Sequence, residues 1–326
     1  MTSASHALPR STGAGLGIGL AAVARPAYIT SGRERDLGGQ RSVEDLRQRT
    51  WAVLDAAVAA GIGYVDVARS YGRAEEFLAS WLQARPDATV EIGSKWGYRY
   101  VGGWRLDADT HEVKDHSLAA FLQQRDETLA LLGDRLRVYH VHSATLETGV
   151  LDDAPLHRAL AGLRERGVAV GISTSGPEQA TAVRRALEVR VDGQPLFTSI
   201  QSTWNVLETS VAPALAEAVD AGARVLVKEG VANGRLAPGG PDSAGARRVA
   251  ELAASLEVDV DVLALAAALA QPWAGVVLSG AVTSAQVRSN ASAARLDVPA
   301  AVLDELTGLA EDPAAYWGAR SERSWG

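Results

Sequence analysis

The chain has 326 residues, of which 47% are hydrophobic and 22% are charged, as is typical of a folded globular protein. It contains no cysteine, which excludes disulfides, thiolate metal sites and cysteine nucleophiles. Its net charge is -7 and it has no run of lysine or arginine, so we expect no nucleic acid partner.

Two apolar stretches have to be distinguished from targeting and membrane segments. Residues 14–24 follow Arg10 and resemble a short signal peptide with a cleavage site at 22–24. The glycine-rich part of this stretch, GLGIG, is instead predicted to be a buried strand. Residues 262–282 are interrupted by Pro272, which favours a helix, a turn and a strand over a membrane span. We therefore expect a cytoplasmic protein with no membrane partner.

Short β-branched runs alternate with longer alanine- and leucine-rich segments along the chain. Eight of these runs are predicted strands: 15–19, 62–67, 89–95, 136–142, 168–173, 197–202, 223–228 and 275–279. The segments between them are predicted helices: 42–60, 75–84, 118–132, 154–166, 177–187, 211–221 and 245–269. This alternation predicts one α/β domain over residues 1–326, a closed (β/α)8 TIM barrel with active-site groups at the carboxyl ends of its strands. The irregular stretches 25–41 and 97–115 are long enough to be functional loops over the barrel mouth.

Four polar side chains follow three consecutive predicted strands and can act together on a carbonyl group. Asp66, Lys95 and His142 lie at the strand ends, and Tyr71 comes shortly after Asp66. Tyr71 would protonate the carbonyl oxygen, and Lys95, held by Asp66 in an ion pair, would lower the pKa of Tyr71. His142 would donate a hydrogen bond to the same oxygen. Because no side chain supplies a hydride, the reduction needs a cofactor.

Eight short motifs follow one another along the chain: GLGIGL, VDVARSYGRAEEFLASWL, SKWG, VYHVHS, GIST, QSTWN, NGRL and SGAVTSAQVRSN. In this order they resemble the motifs of the aldo-keto reductase family over essentially the whole chain. The second contains the family's Asp-x-Ala-x-x-Tyr-Gly signature, and the next two carry its lysine and its histidine. The resemblance implies an NAD(P)H-dependent oxidoreductase that interconverts a carbonyl compound (an aldehyde, a ketone or a sugar) and an alcohol.

The resemblance also implies that nicotinamide binds in the barrel mouth. Gly19, at the end of the first strand, belongs to the implied cofactor site, and Ser173 and Gln201 hold the carboxamide. Asn205 supports the same wall. Thr174 stands where the family usually has asparagine, which removes one expected amide contact.

A second departure concerns the aromatic residue that the family stacks on nicotinamide, because Lys228 aligns with that position. Trp204 or Trp96 is an alternative stacking group. As a cation, Lys228 would pair with the cofactor's pyrophosphate or an anionic substrate, or else with the neighbouring Glu229.

Recognition of the adenosine phosphate falls to the last motif, where a strand opens into a helix with free backbone amides. The residues that the resemblance implies at this site are Gly280, Thr283, Gln286 and Asn290. Arg288 is the one basic side chain of the motif that could contact a 2′-phosphate. These observations favour NADP(H), with NAD(H) as the alternative.

The expected partner is a small carbonyl compound or sugar, and five aromatic residues are candidates for its walls. In this family the loop after the third strand and the C-terminal tail close over the substrate, and they contain Tyr98, Trp104, Tyr316, Trp317 and Trp325.

Four other hypotheses remain open at this point. His140 and His142 lie two apart on one strand and resemble a metal-binding pair, although we expect no metal because further ligands are missing at other strand ends. Residues 17–22 fit a weak dinucleotide-binding pattern, G-x-G-x-x-A. A barrel aldolase would use Lys95 or Lys228 as a Schiff base. A reductase-like binding or regulatory subunit would retain the cofactor with slow turnover.

Overall fold

The computed structural model describes residues 15–30, 32–240 and 242–325, so Arg10 lies outside the described residues. Eight parallel strands form a closed barrel, in which each strand pairs with its neighbours in chain order and the last pairs with the first. They are β1 Gly15–Gly19, β2 Tyr64–Asp66, β3 Glu91–Trp96, β4 Leu136–Ala144, β5 Ala169–Thr174, β6 Ser199–Thr203, β7 Arg224–Lys228 and β8 Val276–Ser279. The predicted (β/α)8 barrel is confirmed.

The glycine-rich first strand is part of the barrel wall. A Cβ atom on Gly17 would lie 2.7 Å from a methyl group of Leu278, so only glycine lets the side chains of the barrel interior pack there. Residues Leu20, Val23 and Ala24, which follow the strand, are fully buried. The dinucleotide-binding hypothesis for residues 17–22 is wrong, because this segment belongs to a closed barrel.

Helices connect the strands and cover the outside of the barrel. Their bounds are α1 Arg33–Leu37, α2 Val43–Ala59, α3 Ala74–Ala84, α4 Leu118–Leu132, α5 Ala154–Ala161, α6 Gln179–Glu188, α7 Ala212–Asp220, α8 Ala244–Ser255, α9 Val260–Leu269, α10 Ser284–Ala291, α11 Ala300–Thr307 and α12 Pro313–Ser321. Local signals explain several starts: Ser42 and Asp45 form a capping box at α2, and Ser117 caps α4. Each predicted helix has a counterpart.

Two predicted helices are shorter than expected. The segment 154–166 ends as a 3₁₀ turn, Gly162–Arg166, and the segment 245–269 is broken into α8 and α9. The break is at Glu257, whose φ of 55° is left-handed, followed by Asp259 in an extended conformation. Nearly every residue of α9 is buried, so its sequence is apolar on all sides. It therefore lacks the periodic change between apolar and polar positions that would have shown where one helix ends and the next begins.

Short elements complete the chain around the barrel ends. An antiparallel hairpin pairs Tyr98–Tyr100 with Glu112–Lys114 and lies over the barrel mouth, in the predicted loop 97–115. A second hairpin pairs Arg190–Val191 with Gln194–Pro195. The remaining 3₁₀ turns are Gly133–Arg135, Leu146–Thr148, Ala232–Gly234 and Ser292–Arg295. Within the described ranges, no helix is both long enough and apolar enough to cross a membrane.

Candidate active site

A cavity of about 780 Å³ opens at the carboxyl ends of the strands. Its size is within the range of sites that bind cofactors and small substrates. Seven of the predicted site residues line it: Gly19, Asp66, Tyr71, His142, Gln201, Lys228 and Gly280. Both predicted functional loops contribute residues to this lining, which confirms their position at the barrel mouth.

A buried ion pair joins the ends of β2 and β3. The ammonium of Lys95 donates to the carboxylate of Asp66 and to the carbonyl oxygen of Val67, the latter at 3.0 Å. Both side chains are almost fully buried. Burial lowers the pKa of Lys95, and the attraction of Asp66 opposes this effect. The other oxygen of Asp66 accepts from the side-chain amide of Gln201 at 2.8 Å, which ties β6 to the pair.

Tyr71 lies in the turn between β2 and α3, and its ring contacts two cations and the imidazole of His142. The next residue, Gly72, has φ of 61°, and a Cβ atom there would lie 2.8 Å from the carbonyl oxygen of Ala24, so the turn needs glycine. The centre of the Tyr71 ring is 4.8 Å from the ammonium of Lys95 and 4.9 Å from the guanidinium carbon of Arg25. The Tyr71 hydroxyl forms no hydrogen bond to any residue that the structure describes.

The expectation that Lys95 lowers the pKa of Tyr71 needs correction. Burial, followed by the charge of Asp66, raises this pKa well above its ordinary value, and Arg25 opposes the rise. Tyr71 is therefore a neutral phenol at pH 7, the protonation state that a proton donor needs.

His142, near the end of β4, lies beside Tyr71 at the cavity. The two ring centres are 5.5 Å apart, edge to face, and the ring of Tyr98 also packs on His142, with centres 4.9 Å apart. The carbonyl oxygen of His142 accepts from the ring of His116 at 2.8 Å, which fixes the strand end. Burial, followed by the charge of Lys95, lowers the pKa of His142 well below its ordinary value. The imidazole is neutral at pH 7 and can donate one hydrogen bond.

The amide-binding residues predicted on β5 and β6 have different surroundings. The side-chain oxygen of Gln201 is buried and has no hydrogen-bond partner among the described residues, so it can accept from an incoming amide. Ser173 does not line the cavity, because its hydroxyl accepts from the backbone N–H of Ser143 at 2.9 Å. Ser175 lines the cavity instead. Asn205 lies behind this wall, where its amide donates to the Glu229 carbonyl and to the Tyr316 hydroxyl, each at 3.0 Å.

Lys228 faces the cavity from the end of β7, within a cluster of charges. Its ammonium donates to the hydroxyl of Thr203 at 2.6 Å and lies 3.8 Å from the carboxylate of Glu229. Glu229 also forms a two-pronged ion pair with Arg320 of α12. Burial lowers the pKa of Lys228 to about 8, partly opposed by Glu229. Burial alone would raise the pKa of Glu229, but Arg320 and Lys228 lower it to about 2.

Neither tryptophan proposed as a stacking group lines the cavity. Trp96 is fully buried against Phe121, with ring centres 5.0 Å apart, and Trp204 packs on Trp273 at 5.6 Å. Both are therefore core residues, which corrects that expectation. Among the five aromatic residues predicted for the substrate walls, Tyr98 and Trp325 line the cavity, whereas Trp104, Tyr316 and Trp317 do not.

At the start of α10 the predicted phosphate-binding residues are engaged with one another. The Thr283 hydroxyl accepts from the backbone N–H of Gln286 at 3.2 Å, and the Gln286 side-chain oxygen accepts from the N–H groups of Val282 and Thr283. The Gln286 amide donates to Asp36 at 2.7 Å. Asn290 is buried and hydrogen-bonded to Ser279 and Asp261.

Arg288 is exposed on α10 and pairs with no described residue. None of Thr283, Gln286, Arg288 and Asn290 lines the cavity, so only Gly280 of the predicted phosphate-binding set does.

Several residues that the sequence did not single out also line the cavity. They are Arg25 and Tyr28 from the loop after β1, His111 and Glu112 from the mouth hairpin, and Arg320 near the C-terminus. Trp325 stacks on His111 with ring centres 4.5 Å apart. The sequence did contain one signal that could have identified Arg25 as a candidate cavity residue. It is the first charged residue after the apolar run that contains β1.

His140, the other member of the predicted histidine pair, points into the barrel interior, where its ring contacts the Ser199 hydroxyl at 2.9 Å. It is fully buried. In the part of the chain that the structure describes, no three His, Asp or Glu side chains are grouped closely enough to hold a metal ion.

Comparisons with known proteins agree with this architecture. The model of the aldo/keto reductase family matches residues 36–311. A D-threo-aldose 1-dehydrogenase from a Pseudomonas species is 27% identical over 293 residues, which cover 78% of this chain and 86% of that protein.

Two solved structures share the fold. An aldo-keto reductase from Bacillus halodurans in its holo form has a TM-score of 0.68 at 21% identity, with 91% of this chain and 92% of that chain covered. A glycerol dehydrogenase from Gluconobacter oxydans has a TM-score of 0.66 at 20% identity, covering 89% and 90% of the two chains. The family match spans most of the barrel, and this chain therefore belongs to the aldo/keto reductase family of NAD(P)H-dependent oxidoreductases.

Proposed function

We propose that this protein interconverts a carbonyl compound and an alcohol, with Tyr71 as the proton donor in the reducing direction. The observation that carries the proposal is the joint placement of Tyr71 and His142 on one cavity wall, with ring centres 5.5 Å apart. A carbonyl oxygen held between them would receive a proton from the neutral phenol and a hydrogen bond from the neutral imidazole. The buried Asp66–Lys95 pair supports the Tyr71 ring from behind.

A nicotinamide cofactor fits the residues at the opposite wall. The unpartnered side-chain oxygen of Gln201 is the acceptor that a carboxamide N–H requires, and its amide is oriented by Asp66. Gly19 and Gly280 bring backbone without side chains to the same cavity. The bound cofactor supplies the hydride that no side chain can supply. Ser175 replaces Ser173 in our proposal as the serine at this wall.

NADP(H) is our first proposal for the cofactor, and NAD(H) is the alternative. Arg288 supports NADP(H), since it is exposed and pairs with no described residue, so its charge is free for a 2′-phosphate. Asp36 opposes this choice. Its carboxylate accepts a hydrogen bond from Gln286 at the start of α10, where its negative charge would repel a 2′-phosphate. The balance between these two charges determines the preference.

A barrel aldolase is the second candidate, and one observation favours it. Lys228 lies in the cavity with a pKa lowered to about 8, which is a property of lysines that form Schiff bases. Lys95 is excluded from this role because it is buried in its ion pair and does not line the cavity. Borohydride reduction in the presence of a carbonyl substrate, followed by mass spectrometry, would reveal an adduct on Lys228 in an aldolase and none in a reductase.

The proposed function is tested by titrating the purified protein with NADPH and NADH, followed by a panel of aldehydes, ketones and sugars. Each reaction is followed at the nicotinamide absorbance in both directions. We expect saturable binding of at least one cofactor and turnover with at least one carbonyl compound. Binding of cofactor without turnover on the whole panel would favour a binding or regulatory role.

A further inference from the structure

Arg25 is a buried cation that the proposed carbonyl chemistry of the cavity does not use. Its side chain is 2% exposed, yet it lines the cavity from the loop after β1. Its Nε donates to the Ala21 carbonyl at 2.9 Å, and its Nη1 donates to the Ser70 carbonyl at 3.3 Å and to Glu112 at 2.7 Å. These bonds join the loop after β1 to the mouth hairpin and fix the orientation of the guanidinium plane.

One atom on each side of this pair remains available. No described residue accepts a hydrogen bond from Nη2 of Arg25, and none donates to Oε2 of Glu112. Both residues line the cavity. The pair therefore presents a donor and an acceptor side by side to whatever occupies the cavity.

The pair lies next to the proposed proton donor. The guanidinium carbon of Arg25 is 4.9 Å from the centre of the Tyr71 ring, 4.5 Å from that of Tyr28 and 5.0 Å from that of Trp325. A group bound by Arg25 therefore belongs to the part of the substrate adjacent to the reacting carbon. The Tyr28 and Trp325 rings limit that part to a compact group with an apolar face.

Charge decides which chemical group the pair accepts. Arg25 is already neutralised by Glu112, so a substrate carboxylate would meet a carboxylate along with the cation. The charged residues that line the cavity are five carboxylates (Asp66, Asp107, Asp109, Glu112 and Glu229) against three cations (Arg25, Lys228 and Arg320). A hydroxyl group both accepts and donates, which matches one free donor and one free acceptor.

We propose that Arg25 and Glu112 form a hydroxyl-binding subsite that selects an uncharged carbonyl compound, or its cyclic hemiacetal, with a hydroxyl group next to the reacting carbon. This proposal rests on the proposed function and adds to it the pair of residues that determines specificity. The hydroxyl accepts from Nη2 of Arg25 and donates to Oε2 of Glu112.

Three aldehydes of similar size test the subsite: lactaldehyde, which carries the hydroxyl, propanal, which lacks it, and glyoxylate, which carries a carboxylate. In the parent protein we expect kcat/KM for lactaldehyde to exceed that for propanal by about tenfold or more, because propanal leaves both polar groups unpaired. The double variant Arg25→Met/Glu112→Gln, which has no buried unpaired charge, should reduce this ratio to about threefold or less.

Glu112→Gln alone gives a second readout that a purely structural role would not give. It leaves the Arg25 cation without its partner, so the use of glyoxylate relative to propanal should rise by about tenfold. Glu147→Gln is the matched control, since it makes the same substitution at an exposed residue that does not line the cavity. It should leave both ratios within about twofold of the parent values. Thermal melting of each variant verifies that the barrel is folded.

The outcomes separate the subsite from the function. If none of the carbonyl compounds in the wider panel is reduced, the proposed function fails and the subsite fails with it. If lactaldehyde and propanal are used equally well by the parent, the function stands and the subsite is wrong. If the ratio persists in the double variant, the pair only fixes the mouth hairpin and the proposal is also overturned.

Discussion

The catalytic corner of the cavity and the start of α10 differ in whether their ligand-binding polar atoms already have hydrogen-bond partners within the protein. The catalytic corner consists of Asp66, Tyr71, Lys95, His142 and Gln201. There, the Tyr71 hydroxyl and the Gln201 side-chain oxygen are without partners among the described residues, while the Asp66–Lys95 pair beneath them is fully engaged. At the start of α10, the backbone N–H groups of Val282 and Thr283 are already occupied by Gln286.

This difference indicates how each region binds its ligand. The catalytic corner is preorganised, because the groups proposed to contact the carbonyl and the carboxamide are held in place with their reactive atoms free. A phosphate can reach the amides of α10 only after Gln286 moves, so binding there requires a local rearrangement. We therefore expect the hydride-transfer site to be rigid and the adenosine site to adapt.

The largest effect is expected from Lys95→Met, which removes the Asp66–Lys95 ion pair from the catalytic corner. It leaves the buried carboxylate of Asp66 unpaired, which should lower the free energy of unfolding by about 3–5 kcal/mol, as measured by urea denaturation. The double variant Asp66→Asn/Lys95→Met is the control, and it should regain much of this stability with little activity. If the single variant is as stable as the parent, the pair does not support the corner.

Lys228 provides a prediction for pH. Its pKa is about 8 in the folded chain and 10.5 in an ordinary lysine, so the unfolded chain binds more protons between these values. The contribution of Lys228 to the free energy of unfolding therefore rises with pH over that window. In Lys228→Met, and in Lys228→Arg, whose charge does not titrate there, the rise should be smaller than in the parent. Urea denaturation at several pH values between about 7 and 10 measures how the free energy of unfolding depends on pH. An equal dependence in all three proteins would show that folding does not lower the pKa of Lys228.

The smallest effects are expected at the start of α10, where opposite charges compete. Asp36→Asn should increase the affinity for NADPH relative to NADH, and Arg288→Ala should decrease it, each by about 1 kcal/mol, because one charge repels and the other attracts a 2′-phosphate. Both shifts should diminish as salt concentration rises. Fluorescence titration with each cofactor measures these affinities. Glu34→Gln is the control, because Glu34 is an exposed acid in α1, the helix that contains Asp36. Shifts in the same direction for both variants would refute the competition.

The sequence was sufficient for the barrel and for the parts of the site that depend on strand ends. Strand periodicity placed Asp66, Lys95 and His142 at the carboxyl ends of β2, β3 and β4, and closure of the barrel brings those ends together. The Asp66–Lys95 pair was predicted correctly because both residues occupy adjacent strands.

The remainder depends on contacts that short-range patterns do not encode. Arg25 and Glu112 are 87 positions apart and meet only because two loops cover the same barrel mouth. Ser173 was expected in the cavity, but the left-handed backbone of Ser143, with φ of 52°, brings its N–H onto the Ser173 hydroxyl. The direction of the Tyr71 pKa shift was also missed, since spacing alone does not show how deeply the phenol is buried.

The central claim is that Tyr71 in its neutral form delivers the proton while its neighbours hold the cofactor and the carbonyl. The most direct measurement is a stopped-flow single turnover of Tyr71→Phe with bound reduced cofactor and a carbonyl compound that the parent reduces. We predict cofactor affinity within about twofold of the parent and a rate of hydride transfer that is about 10²- to 10⁴-fold lower, because only the transferable proton is removed. A rate equal to that of the parent, at unchanged cofactor affinity, would contradict the claim.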